Sequence, residues 1–152
     1  SGTSGIQTRM AQHVVITLMA VLCASCVAIS LGIAIGHSKR GSGIVVGLTG
    51  AARAIPTLGL LTLLGLAFGI GVKAPLLALI VLAIPSLLAG TYAGIQAVDS
   101  VTVDAAQAIG MSPGQVIRGV ELPLALPVII GGIRAATLQV VSTTTLAAYT
   151  SD

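Results

Sequence analysis

The residues that could do chemistry are few. Cys23 and Cys26 form a C-x-x-C, a spacing that serves redox thiols and zinc. Both lie inside an apolar run, and the sequence holds no second ligand pair, so they read as two small residues on one helix face. His13 and His37 stand at opposite ends of that run. Neither has a partner at ligand spacing and no H-E-x-x-H is present, so both read as interfacial polar residues rather than metal ligands. A serine nucleophile needs a positioned base, and no G-x-S-x-G occurs. There is also no G-x-x-x-x-G-K-[ST] with which to cradle the phosphates of ATP. The expectation is a chain that is not an enzyme and needs no cofactor or metal of its own.

Polar residues concentrate in one stretch, 96–122, which holds Asp99, Asp104, Arg118 and Glu121. It reads as two short helices outside the hydrocarbon. Asp99 or Ser100 can cap the first, which runs to about Ile109, and Gly110 is a natural stop. Ser112-Pro113-Gly114-Gln115 matches a capping box with proline at the first helical position. The second helix is expected to end before Leu122-Pro123. Elsewhere, Arg53 and Arg134 lie near or within apolar runs, where an arginine costs about 2.5–3.5 kcal/mol on insertion scales. Arg134 comes seven residues after Pro127, about 10 Å of helix. It can reach back to the boundary, pair with a carboxylate, or serve a solute pathway. Pro85 and the run Ser142-Thr143-Thr144-Thr145 are stronger pathway candidates, with helix packing as their other use.

The elements that must position these residues follow from composition. The chain has 152 residues, 55% of them hydrophobic and 7% charged, with 19 glycines and only Phe68, Tyr92 and Tyr149 as aromatics. Mean hydropathy is +1.08. A soluble domain carries about 25% charge, so a soluble enzyme and a disordered tail are both excluded as leading readings. The net charge of +3 comes from scattered cations without interleaved aromatics, which argues against nucleic acid. What remains is an all-α integral membrane protein whose small residues allow close helix packing. A bilayer core needs about 20 helical residues. Gaps between charges give spans at about 13–36, 54–72, 74–95 and 124–148, with 96–123 as a polar loop. The glycine-rich piece Ile44 to Ala52 is too short to cross alone and lies at the interface or leads into the second span. Together these make residues 1–152 a single transmembrane domain. Lys39, Arg40 and Arg118 share one side, against Arg9 and Lys73 on the other, which places the long loop in the cytoplasm. No signal peptide is visible, and Ser1-Gly2-Thr3-Ser4-Gly5 without an initiator Met suggests a processed or incomplete chain.

The loop reads Asp104-Ala105-Ala106, three residues, Gly110, nine residues, then Val120-Glu121-Leu122-Pro123. This closely resembles the E-A-A-x3-G-x9-I-x-L-P loop of permease subunits in ATP-binding cassette importers. Asp stands for Glu and Val for Ile. Pro56-Thr57-Leu58-Gly59-Leu60-Leu61, Gly90 to Ile95, Val120 to Pro127 and Gly132 to Thr137 resemble the osmoprotectant branch of that family. The branch imports glycine betaine, choline, carnitine or proline betaine, and the similarity runs from about His13 to Tyr149.

The resemblance implies a multi-pass inner (cytoplasmic) membrane subunit that forms a translocation pathway in lipid. It implies three protein partners: a cytoplasmic ATP-binding cassette ATPase, an extracytoplasmic substrate-binding protein, and a second permease subunit, identical or different. Asp104, Ala105, Ala106, Gly110, Arg118, Glu121, Leu122 and Pro123 would form the knob that couples to the ATPase. Ala105 and Ala106 would be small because the receiving cleft is tight, and Asp104, Arg118 and Glu121 would make polar contacts with the partner. Pro56, Thr57, Pro85, Tyr92, Arg134, Ser142, Thr143 and Thr144 are the pathway candidates. Quaternary ammonium groups are held by aromatic cages, which one Phe and two Tyr cannot easily build. Selection is therefore expected on the separate binding protein. Permeases of this kind continue past the equivalent of Tyr149 with at least one more span. Two alternative readings are a permease for another small polar solute of amino-acid type, and a small membrane channel or scaffold subunit.

Overall fold

The computed structural model describes residues 2–69, 71 and 73–149, leaving aside the side chains of Gly2, Thr3, Arg53 and residues 144–149. Among the described residues every regular element is a helix. In chain order they are α1 (Gly2–Ser38), α2 (Ser42–Ala54), α3 (Thr57–Phe68), α4 (Lys73–Gln96), α5 (Ser100–Ala108) and α6 (Pro113–Val116). A π-helical turn (Ile117–Glu121) then leads into α7 (Leu122–Tyr149).

Among the described residues, three helices are long and apolar enough to cross a bilayer: Ser4–Ser38, Lys73–Gln96 and Pro113–Thr143. The first two contain the expected spans 13–36 and 74–95, and the third covers 124–143 of the expected span 124–148, within α7 (Leu122–Tyr149). The expected second span differs. Residues 54–72 do not form one helix, because α2 stops at Ala54 and α3 starts at Thr57, the pair bending by 87°. Pro56 is the cause. Its ring drives Ile55 out of helical geometry, to φ −78° and ψ 117°. The twelve residues of α3 measure about 18 Å, short of a hydrocarbon core of about 30 Å.

Helix α4 is the centre of the molecule, flanked by α1 and α7. Small residues set the contacts. On α1, Ala20, Ala24 and Ala28 are fully buried at four-residue spacing, and Gly32 and Gly36 continue the stripe. A Cβ on Gly32 would lie 2.6 Å from Thr91 Cβ, and one on Gly36 would lie 2.8 Å from Ile95 Cβ. Because 32 meets 91 and 36 meets 95, α1 and α4 run parallel. Helix α7 runs antiparallel to α4, with Gly94 against Ala125 and Gly90 against Gly132. In lipid such close backbone approach supplies the van der Waals contact that the hydrophobic effect cannot. Leu79, Ala83, Leu87 and Leu88 of α4 fill the main core with Ala136 and Val140 of α7. Ile95, Ala125 and Ile129 form a second core at the other end.

This geometry gives the bundle two ends. Ser38, Gln96 and Leu122 lie at one, and Lys73 lies at the other. Since α1 and α4 are parallel, α2 and α3 carry the chain from the first end back to the second. The turn that starts this return uses left-handed backbone at Lys39 (φ 54°) and Gly41 (φ 89°).

Candidate coupling knob and pathway residues

The loop between α4 and α7 is a small folded body. Asp99 caps α5, its Oδ1 accepting from Val101 N at 3.1 Å. Gly110 closes the helix at φ 94°. Its N–H donates to Gln107 O at 2.9 Å and Met111 N donates to Ala106 O at 3.2 Å, a double-bonded glycine stop. Ser112 then caps α6 reciprocally: Gln115 N donates to Ser112 Oγ at 3.4 Å, and Ser112 N donates to Gln115 Oε1 at 2.8 Å. The expected signals at Asp99, Gly110 and Ser112 are all used as expected.

The knob has its own core of Val103, Ala106 and Val116, with Val98, Met111 and Val120 packed against it. Ala106 is therefore small for a different reason from the one expected. It is 6% exposed and packs inward, so it does not face a receiving cleft. Asp104, Ala105 and Arg118 are on the outside. Ile109, 81% exposed at the knob's tip, joins them. An open groove of 590 Å³ runs beside Arg118, lined also by Met111, Ser112, Gly114, Gln115 and Gly119.

Glu121 also departs from expectation. It is 4% exposed and faces inward, where His37 Nδ1 lies 2.6 Å from its Oε2. A buried carboxylate needs such a partner. Next to it, Gln96 Nε2 donates to Gly36 O at 2.9 Å. Glu121, Gly36, Lys39, Gln96 and Ser100 share a cavity of 220 Å³. From sequence alone His37 is expected to be an interfacial polar residue. Its pairing spans 84 positions, and no local signal reveals it.

The expected helix end before Leu122-Pro123 is absent, and the chain runs helically from Pro113 to Thr143. The π-helical turn explains this. Leu122 N bonds to Ile117 O, five residues back. The widened turn accepts the Pro123 ring where an ordinary α-turn would clash with the Gly119 carbonyl. Leu122 is half-buried against the Ile95 cluster and Pro123 is exposed.

The pathway candidates do not share one surface. Pro85 and Thr143 are buried, and Tyr92 is half-buried against the main core. Pro56 is exposed at the α2–α3 bend, Thr57 is half-buried, and Arg134 is exposed on α7. Ser142 is exposed, but its Oγ donates to Leu138 O within its own helix at 2.9 Å. The side chain of Thr144 lies outside the described residues. Sequence reading passed over Ser86 and Gln139, whose side chains bridge α4 and α7 at 2.9 Å. Both are polar residues inside apolar runs, and that was the available signal.

Comparison with known proteins gives a consistent picture. The binding-protein-dependent transport system inner membrane component family matches residues 24–151. The choline transport system permease protein of Bacillus subtilis (strain 168) is 34% identical over 138 residues, covering 91% of this chain and 64% of the relative. The glycine betaine/carnitine/choline transport system permease protein of the same organism is 33% identical, covering 93% and 65%. The carnitine transport permease protein of Listeria monocytogenes serotype 1/2a (strain 10403S) is 37% identical, covering 82% and 56%. The chain thus spans less than two thirds of the length of these relatives. A crystal structure of an amino acid ABC transporter with histidines superposes with a TM-score of 0.64 at 20% identity, covering 97% of this chain and 76% of that one. That likeness establishes the shared helical fold. Parallel α1 and α4, an antiparallel α7, the capped knob between them and these matches lead to one assignment: the chain belongs to the binding-protein-dependent transport system inner membrane component family.

Proposed function

We propose that this chain forms the pathway-building part of a permease subunit in an ATP-driven importer of quaternary-ammonium osmoprotectants. Glycine betaine, choline and carnitine are the leading substrates, because the relatives that carry those names match most of the chain. Residues 1–152 act as a single transmembrane domain, with α2 and α3 together counting as one of four crossings. The knob of residues 99–123 faces the cytoplasm and docks on a separate ATPase subunit, which hydrolyses the ATP. An extracytoplasmic binding protein delivers the solute, and a second permease subunit completes the pathway.

One observation carries this reading. The loop that resembles the importer motif is a prefolded body with its own core, and it presents Asp104, Ala105, Ile109 and Arg118 outward. A rigid knob can pass a push to the helices attached to it, whereas a loose loop cannot. The near absence of aromatic rings supports selection on the binding protein, with only weak solute binding in the permease.

The test is reconstitution of the intact permease with its ATPase and binding protein. ATP turnover is measured against betaine, choline, carnitine and proline. Turnover rises with at least one quaternary-ammonium solute, and Gly110→Trp abolishes copurification of the ATPase. Normal ATPase binding by that variant removes the docking role of the knob.

A further inference from the structure

Helix α1 and α7 flank α4 and touch one another only sparsely. A push delivered to the knob reaches α7 directly, through the π-helical turn, and reaches α1 from the knob's entry by way of α4, on which α1 packs extensively. At the knob's exit, the pair His37–Glu121 adds a direct polar tie to α1. His37 is in the last turn of α1, and Glu121 is the last residue of the π-helical turn. Their side chains meet at 2.6 Å, with Glu121 almost wholly buried and His37 about one quarter exposed. The same end of α1 is fixed to α4 by Gln96 Nε2 on Gly36 O, at 2.9 Å. Three helix ends are thus joined by two polar contacts made at adjacent residues of α1. Both contacts sit at the knob's root and neither faces its docking surface.

We propose that His37 is a positioning residue for the coupling knob. Through Glu121 it fastens the exit of the knob to the end of α1, so that displacement of the knob carries α1 along with α7. This rests on the reading of residues 99–123 as the ATPase-coupling knob. The placement gives Glu121 a role distinct from that of Asp104 and Arg118. Those two are available to a partner, while Glu121 is spent on an internal tie. Asymmetry in the cost of breaking the tie also follows. Removing the imidazole strands a buried carboxylate, whereas Glu121→Gln made together with it leaves only a neutral amide there, which costs less.

The experiment uses the intact permease, reconstituted with its ATPase and binding protein, and glycine betaine as solute. His37→Ala, His37→Asn, Glu121→Gln and the double variant His37→Ala/Glu121→Gln are compared. Two quantities are read: ATPase copurification, and the betaine-stimulated increase in ATP turnover. Copurification is expected to stay at the wild-type level in all four. Stimulation is expected to fall about tenfold in His37→Ala, in the range of ordinary coupling energies. Asn places an amide nitrogen where Nδ1 stood and recovers most of the loss, which separates a positioning role from general damage to the fold. The double variant is no worse than His37→Ala. Unchanged stimulation in His37→Ala with the ATPase still bound overturns the proposal and leaves the docking reading intact. Failure of the wild-type permease to hold the ATPase at all overturns the docking reading, and the proposal with it.

Discussion

Ala105 stands exposed while Ala106, one position on, lies within the knob's core against Val103 and Val116. The two alanines should therefore fail in different ways when enlarged. Ala106→Leu overpacks a finished core, a change that costs about 1–3 kcal/mol. Faster amide hydrogen exchange across residues 103–117 would register it. Ala105→Leu should leave that exchange unchanged and lower ATPase copurification, because the added bulk meets only the partner. Gly110 gives a third outcome. A Cβ there meets nothing within 4 Å, yet the backbone sits at φ 94°. Gly110→Ala should cost about 1 kcal/mol through backbone strain alone, seen as a modest exchange increase in the same segment. The bulk of Gly110→Trp adds the docking defect. The motif spacing showed that small residues belong here, but not which one faces inward. That depends on where Val116 folds back, which only the three-dimensional knob decides.

At the scale of elements, the bundle depends on how closely backbones approach. Gly90 and Gly131 test this as a pair. A Cβ on Gly90 falls 2.8 Å from Gly132 Cα, while one on Gly131 meets nothing. Gly90→Ala should force α4 and α7 apart and lower the thermal midpoint of the purified protein, a cost of about 1–3 kcal/mol. Gly131→Ala should hold or raise it, by up to about 1 kcal/mol, since alanine favours the helix. Equal effects from both would remove the close-contact account of the interface. The abundance of glycine was plain in the sequence, and so were three of the long helices, because hydropathy and charge gaps report burial in lipid directly. The two elements that differed both involve proline. Counting charges cannot see that Pro56 breaks the segment 54–72, because a proline is apolar and disturbs only backbone geometry. The converse holds at Pro123, where a π-helical turn absorbs the ring and the helix continues. Both outcomes depend on backbone hydrogen bonding, to which a hydropathy reading is blind.

For the whole molecule, direction is the decisive property. Parallel α1 and α4 put Ser38 and Gln96 at one end and Lys73 at the other. The knob is attached at the first end, beside Lys39 and Arg40. The 37–40 turn and the polar loop thus share one end, the grouping on which the expected orientation rests. What the sequence left hidden is the means by which the chain returns across the bundle, since neither α2 nor α3 is long enough to cross alone. Thiol labelling in whole cells checks the arrangement. In the permease with Cys23→Ala and Cys26→Ala, a membrane-impermeant maleimide should label Lys73→Cys in intact cells. It should label Ala105→Cys only after the membrane is opened. Labelling of both from the same side would contradict α4 as a membrane crossing, since its two ends would then share one face. Labelling in the reverse order would keep the packing but turn the knob away from any ATPase, since ATP is held in the cytoplasm. The two failures strike different claims: the first concerns how the helices are arranged, the second what the arrangement is for.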